Sequence, residues 1–482
     1  MWRKVLKLIL VIVLIFGVYG VVKKLPAGVG LTGTLMSVSA VQLLTDKSFV
    51  TAEGVLVREQ EIFDYILKMI DEAEEYILID MFLYNDNLGK ATTSYRALSS
   101  ELTNALIEKK SNYPSITIQV ISDSINTGYG GYVPEQWQNL EESGISVIVT
   151  DLTKLRDSNP LYSAWWRAGL RFVPDIGGAW LPNLLDTTKP KVGISSYLRA
   201  LNFKANHRKL IVTDYEAENG KNYRTLITSF NPHDGSSEHS NVAVVIDGLF
   251  ALEVIASEAA VANFSGYTLL QPDFATVEPA LADTEVLAEL LTERAIKDSL
   301  LSRLAVTKEG DHILMAMFYF SDRAVLRALG DAVERGATLS VLLDPNKNAF
   351  GREKNGIPNR QIAHALVSRM GDSSVVRWCA TNGEQCHSKL VLIDFKDSNT
   401  EIFLGSANLT RRNLDNYNLE TNVRLVAPTS HPVTQDARAF FMTQWNNEGG
   451  STYSHPYEKY ADKSLFKTIW YRIGEFTGMS HY

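Results

Sequence analysis

Cysteine is nearly absent: the 482-residue chain has two, Cys379 and Cys386. Two thiols cannot build a four-ligand zinc site, and no histidine pair stands at ligand spacing near them. The stretch between them contains Thr381-Asn382-Gly383, a turn signal. A disulfide across that turn is expected if the region lies outside the cytoplasm, and two thiols if it lies inside. An excess of positive charge is also missing. Lys and Arg number 47 against 55 Asp and Glu, a formal net charge of −8. That balance weighs against a dedicated nucleic-acid binder, though it permits a local basic patch. Otherwise the composition is globular, 45% hydrophobic and 21% charged, with length for two or three domains.

Only the N-terminus breaks that pattern. Leu8 to Val22 carries no charge, and counting from Val5, with Lys7 reaching to the surface, gives about eighteen residues, enough for a membrane span. The reading is an uncleaved anchor over 1–30. A cleaved signal peptide is the alternative, but the nearest small-x-small site (Val38, Ser39, Ala40) lies well past the run. Arg3, Lys4 and Lys7 before the run slightly outweigh Lys23 and Lys24 after it. This orients the N-terminus to the cytoplasm and the rest outside.

The remainder of the chain repeats itself. HRKLIVTD at 207–214 returns as HSKLVLID at 387–394. Downstream, TLITSFN matches EIFLGSAN, and SNVAVVI matches TNVRLV. Upstream, EYILIDMFLYND (75–86) matches DHILMAMFYFSD (311–322). Helical patterns follow on Leu98, Leu102, Leu106 and on Val325, Leu329, Val333. Next come strands ITIQVISD and TLSVLLD, helices opened by Pro134 and Pro358, and strands ISVIVTD and SVVRWCA. The order predicts an α/β architecture in duplicate, over 45–270 and 285–450, joined through 270–284 with Pro272 and Pro279 and followed by a tail at 451–482.

The paired HxK-x4-D, each with a Ser-x-Asn at similar distance, resembles the phospholipase D superfamily. Thr228 departs from its pattern, standing where a glycine is usual before the serine. The resemblance implies two homologous α/β domains packed as a pseudo-dimer, with one site at their interface, and the apolar run adds the N-terminal transmembrane helix. Phosphodiester transfer needs a nucleophile, a proton donor for the leaving oxygen and positive charge on the phosphoryl oxygens. His207 with Lys209 and His387 with Lys389 supply these, since a strand's period of two puts each His and Lys on one side. Asn231 and Asn408 can add hydrogen bonds. The resemblance assigns nucleophilic attack, through a covalent phosphohistidine, to His207 and acid–base work to His387, an order that could be reversed. No metal or other cofactor is expected. Asp214 and Asp394, seven residues along each strand, read as structural. Ser229 and Ser406 bind phosphate or shape the turn. The family's acid orienting each histidine is read as Glu420 in the second half and Glu238 in the first.

Residues 152–206 precede the first motif as an insert with eight basic and three acidic residues and Trp165, Trp166 and Trp180. Apolar, aromatic and basic together suit an anionic lipid interface. The competing readings are a single-strand nucleic-acid groove and a packed subdomain. In the tail, Leu465, Phe466, Ile469, Trp470 and Ile473 share one helical face, with Lys463, Lys467 and Arg472 elsewhere. Such a helix lies on a membrane or closes the core. Within the superfamily the chain most resembles bacterial cardiolipin synthases, which implies a phospholipid substrate such as phosphatidylglycerol. It departs from their common arrangement in its single span rather than two and in the long insert before the first motif, which leaves the acceptor, water or an alcohol, open. The single-pass membrane anchor and the extracytoplasmic catalytic region are read from the apolar run and its flanking charges. A phospholipase D hydrolase making phosphatidic acid, or a nuclease of the superfamily, is the alternative. The sequence does not read out an oligomeric state.

Overall fold

The computed structural model describes residues 1–89, 95–217, 220–272, 283–349 and 352–480. Of the joint between the halves, Pro272 is described and Pro279 lies outside the described residues. The expected duplication is present as two mixed sheets in matching strand order. In the first, the parallel strands Tyr76–Met81, Thr117–Ser122 and Ser146–Val149 continue antiparallel through Lys209–Ala217, Gly220–Thr228, Asn241–Asp247 and Ala40–Val50. In the second, His312–Met317, Thr338–Leu343 and Val376–Cys379 continue through Lys389–Asp394, Thr400–Gly405, Thr421–Ala427 and Asp283–Thr292.

The strands alternate between two cores because side chains alternate between sheet faces. Leu210 and Val212 from the first sheet and Leu390 and Leu392 from the second join one apolar cluster between the halves. Ile211 and Val391 face outward, each into its own half's helices. The sheets therefore pack on each other through a shared core, with helices covering their outer faces. The termini cross between halves. Met36–Val38 adds to the second sheet beside Asp283–Thr292, and Ser454–Pro456 closes that sheet's other edge, so pairing extends beyond residue 450. Cys379 and Cys386 form a disulfide.

Trp2–Val22 is a helix of 21 residues, long and apolar enough to cross a membrane. At ~1.5 Å per residue it spans roughly 30 Å, the thickness of a bilayer's hydrocarbon core. The insert packs on it. Its helix Pro160–Ala168 lies against the anchor where Gly17 faces Ala164, and a Cβ on Gly20 would collide with the Asp157 carboxylate. Glycine is what permits that approach. The tail forms the helix Leu465–Thr477, capped by Ser464. Its apolar face stays open: Leu465, Phe466 and Trp470 are 72%, 75% and 62% exposed, which removes the core-closing reading.

Candidate active site

Each HxK motif stands at the mouth of the strand that follows it. His207 and His387 both line one cavity of about 620 Å³. Lys209 Nζ donates to the His207 carbonyl at 2.7 Å, and Lys389 Nζ to the His387 carbonyl at 2.8 Å. Phe82 packs on the His207 ring and Phe318 on the His387 ring, both with centroids 4.7 Å apart. These two phenylalanines occupy matching places in the upstream repeat, a signal the motif reading passed over. Between His207 and Lys209, Arg208 points the opposite way. It is fully buried between the halves, paired with Glu258 at 2.6 Å and Glu293 at 2.9 Å.

The histidines' partners differ from the expected ones. Glu420, expected to orient the histidine of its own half, accepts instead from His207 Nδ1 of the other half at 2.9 Å. Glu238, expected to orient His207, pairs instead with Arg58 at 2.8 Å, and Glu420 takes its place at His207. The place matching Glu420 is held by Asn241, whose Oδ1 lies 3.1 Å from His387 Nδ1. The serines show that these two residues are equivalent. Ser406 Oγ donates to Glu420 at 2.5 Å and accepts the Thr421 amide, while Ser229 Oγ donates to Asn241 Oδ1 at 3.1 Å and accepts the Val242 amide. Both serines thus hold the group that holds the histidine. Backbone bonds reinforce the exchange, from His207 N to Leu419 O and from His387 N to Ser240 O.

A carboxylate only accepts, so His207 carries its proton on Nδ1 and keeps a lone pair on Nε2. Asn241 Nδ2 already faces the His239 carbonyl at 3.0 Å, which turns Oδ1 toward His387 and gives that ring the same tautomer. The difference lies in charge: an imidazolium at 207 would face an anion, and one at 387 a neutral amide. Asn413 Nδ2 also donates to Glu420, and Glu293 Oε1 accepts the Glu420 amide at 3.0 Å. Arg208 thereby braces Glu420 through Glu293.

Asn231 and Asn408 line the same cavity. Asp214 accepts the amides of Glu74, Glu75 and Tyr76, and Asp394 binds Thr400 and Arg438, both at the strand ends away from the cavity. Thr228 replaces the usual glycine by bonding the chain through its own hydroxyl, to Val242 O at 2.9 Å. In the other half a Cβ on Gly405 would collide with the Thr421 carbonyl.

Residues 300–445 match the family described as cardiolipin synthase, PLD-like domain. By that match the chain carries a phospholipase D-like domain, which includes His387 and Lys389. Its fold is that of phosphatidylserine synthase from Haemophilus influenzae, at 10% identity and TM-score 0.57, covering 92% of this chain and 94% of that one. Polyphosphate kinase from Porphyromonas gingivalis aligns at 11% identity and TM-score 0.44, over 92% of this chain and 56% of that one. Nuc, a phospholipase D family member from Salmonella typhimurium, aligns at 15% identity and TM-score 0.26, over 35% and 99%. No curated protein sequence matches the chain.

The site is short of negative charge. Burial lowers His207 to about 4 despite Glu420, and lowers Lys209 to about 7. His387 and Lys389 are held well below their ordinary values, by burial first and then by the neighbouring cations. A bound anion reverses this by favouring each charged form. Binding therefore takes up protons, and affinity falls as pH rises past the free-site value. Sulfate, which does not titrate in this range, is expected to bind up to about tenfold more weakly per pH unit above 7, one proton being linked to Lys209. Calorimetry in buffers of different ionisation enthalpy measures that uptake, and pH-independent affinity contradicts it.

One wall of the cavity comes from the insert: Leu184, Leu185, Leu201 and Phe203 lead away from the histidines. Trp166 is buried, whereas Trp165 and Trp180 are 44% and 54% exposed. The insert is therefore both a packed subdomain and an apolar lining beside the site.

Proposed function

We propose that this protein is a membrane-anchored phosphatidyltransferase. His207 Nε2 attacks the phosphorus of a phospholipid such as phosphatidylglycerol, forming an N–P bond. The P–O bond to the departing alcohol breaks, and that oxygen takes a proton from His387. An acceptor alcohol then gives its proton to His387, attacks phosphorus and frees His207. Lys209, Lys389, Asn231 and Asn408 hold the phosphoryl oxygens. Glu420 favours His207 as nucleophile because its carboxylate stabilises the cationic phosphohistidine. Asn241 leaves the His387 imidazolium a stronger acid.

The observation that carries the lipid reading is the apolar wall built by Leu184, Leu185, Leu201 and Phe203, which opens directly onto the histidines and suits acyl chains. The helix Trp2–Val22 anchors the protein in the membrane, and the disulfide Cys379–Cys386 supports an extracytoplasmic catalytic region. The test is turnover of acyl-labelled phosphatidylglycerol in mixed micelles, with His207→Ala and His387→Ala as controls. Cardiolipin absent from both variants is the expected result. Phosphatidic acid as the sole product makes water the acceptor. No lipid turnover removes the reading and directs the search to single-stranded DNA.

A further inference from the structure

A second cavity, of about 510 Å³, adjoins the catalytic one and shares Tyr129 and Lys204 with it. Its lining is cationic: Arg167, Arg171, Arg199 and Lys204 stand against the Asp151 carboxylate. Behind them Asp157 is used twice over, by Arg167 at 2.7 Å and by Lys204 at 2.6 Å, and both cations are buried. Arg171 and Arg199 are exposed. Arg171 lies over the Phe172 ring, and Arg199 donates to Tyr129 O at 3.0 Å, contacts that neutralise neither charge. The amide and hydroxyl of Ser195 hold the Asp175 carboxyl below its ordinary value, with a smaller contribution from Arg199.

The depth of this cavity is fixed by the anchor. The apolar helix ends at Val22, and the next residue, Lys23, donates from Nζ to Thr153 O in the cavity wall at 2.9 Å. Arg156 returns a bond to the Lys23 carbonyl at 2.8 Å, and the Asp157 amide donates to Gly20 O at 2.9 Å. With Trp2–Val22 in the hydrocarbon, the cavity stands at the level of lipid headgroups. Its cations are crowded. Burial, with Lys204 and Arg167 nearby, lowers Lys23 to about 7, and burial lowers Lys204 to about 8. Asp151 and Asp157 are the carboxylates set against these cations, so the cavity keeps an excess of positive charge.

From this we propose that the second cavity binds the phosphate of a second phospholipid, held unreacted beside the one whose phosphate meets His207. This rests on the phosphatidyl-transfer reading and deepens it by giving the acceptor phospholipid a site of its own. Arg171 and Arg199 bind its phosphate at the rim, Arg167 and Lys204 supply charge from below, and the shared wall at Tyr129 and Lys204 is where its free hydroxyl reaches the catalytic cavity.

The test uses the full chain carrying His207→Ala, which removes the nucleophile, and soluble dihexanoyl phosphatidylglycerol measured by equilibrium dialysis. Two equivalents bound per chain are expected. Adding Arg171→Glu and Arg199→Glu weakens one of them at least tenfold, while the milder Arg171→Gln and Arg199→Gln pair weakens it by an intermediate factor, a gradation that misfolding does not give. Two equivalents that survive charge reversal overturn the proposal. One equivalent that survives reversal also overturns it and leaves the catalytic reading standing. One equivalent lost on reversal keeps the second site and removes the lipid reading of the catalytic cavity. Displacement by inorganic phosphate at equal concentration overturns the lipid assignment in favour of a free anion.

Discussion

His387→Ala protein given an aryl phosphatidyl ester is expected to accumulate phosphatidyl groups on His207, whereas His207→Ala protein forms no adduct. A nitrophenolate leaves without protonation, so the first step does not need His387. The N–P bond forms, the aryl P–O bond breaks, and the phenolate departs with its electron pair. The second step still needs a base to activate the acceptor, so the adduct persists. With a natural phospholipid the same variant loses acid catalysis in the first step as well. Turnover then falls by about 10²–10⁴-fold. Mass spectrometry of the digested protein locates the phosphorus. The reading turns on one asymmetry: Glu420 against His207 and Asn241 against His387. An adduct on His387 in the His207→Ala protein reverses the assignment.

That asymmetry was not legible in the sequence, although most of the fold was. The two HxK strands announce themselves because a period of two forces His and Lys onto one side, and because the pattern occurs twice. The matching strand order followed from the same repeat. The histidines' partners did not, for two physical reasons. First, each comes from the opposite half, through backbone bonds at Leu419 and Ser240 that no local pattern encodes. Second, the loop from serine to partner differs in length, 14 residues from Ser406 to Glu420 and 12 from Ser229 to Asn241. Counting back from the shared Asn-Val passes over Asn241 itself and reaches the residues before it, where Glu238 is the nearest acid. Glu238 instead meets Arg58 near the surface. Arg208 was hidden differently: a basic residue inside a motif reads as solvated, yet it is buried against Glu258 and Glu293. The insert gave composition without period, because its conformation depends on packing against Gly17 and Gly20 of the anchor.

Exchanging the charges of the two partners is expected to act in opposite directions on the two histidines. Glu420 receives His207 Nδ1, Ser406 Oγ and Asn413 Nδ2. In Glu420→Gln one of those donors must face the new amide N–H₂ group, and the phosphohistidine loses its counter-charge. A loss of about 2.7–4 kcal/mol of transition-state stabilisation, roughly 10²–10³ in kcat, is the expected size, with KM little changed. Asn241→Asp does the reverse at His387. A carboxylate beside the ring favours the imidazolium, so the folded-state pKa of His387 rises. The alkaline limb of kcat/KM, where the protonated acid is lost, moves to higher pH by about one unit. Asp46 sets the limit of that shift. Its carboxyl already lies 3.4 Å from Asn241 Nδ2, and burial raises it to about 7. Beside the introduced carboxylate it rises further and holds its proton, so that it donates to that carboxylate and takes back part of the charge offered to His387. The double change Asp46→Asn with Asn241→Asp removes that titrating neighbour, and the limb should then keep its shift with a single-proton slope. An unmoved limb in both variants means that His387 is not the acid.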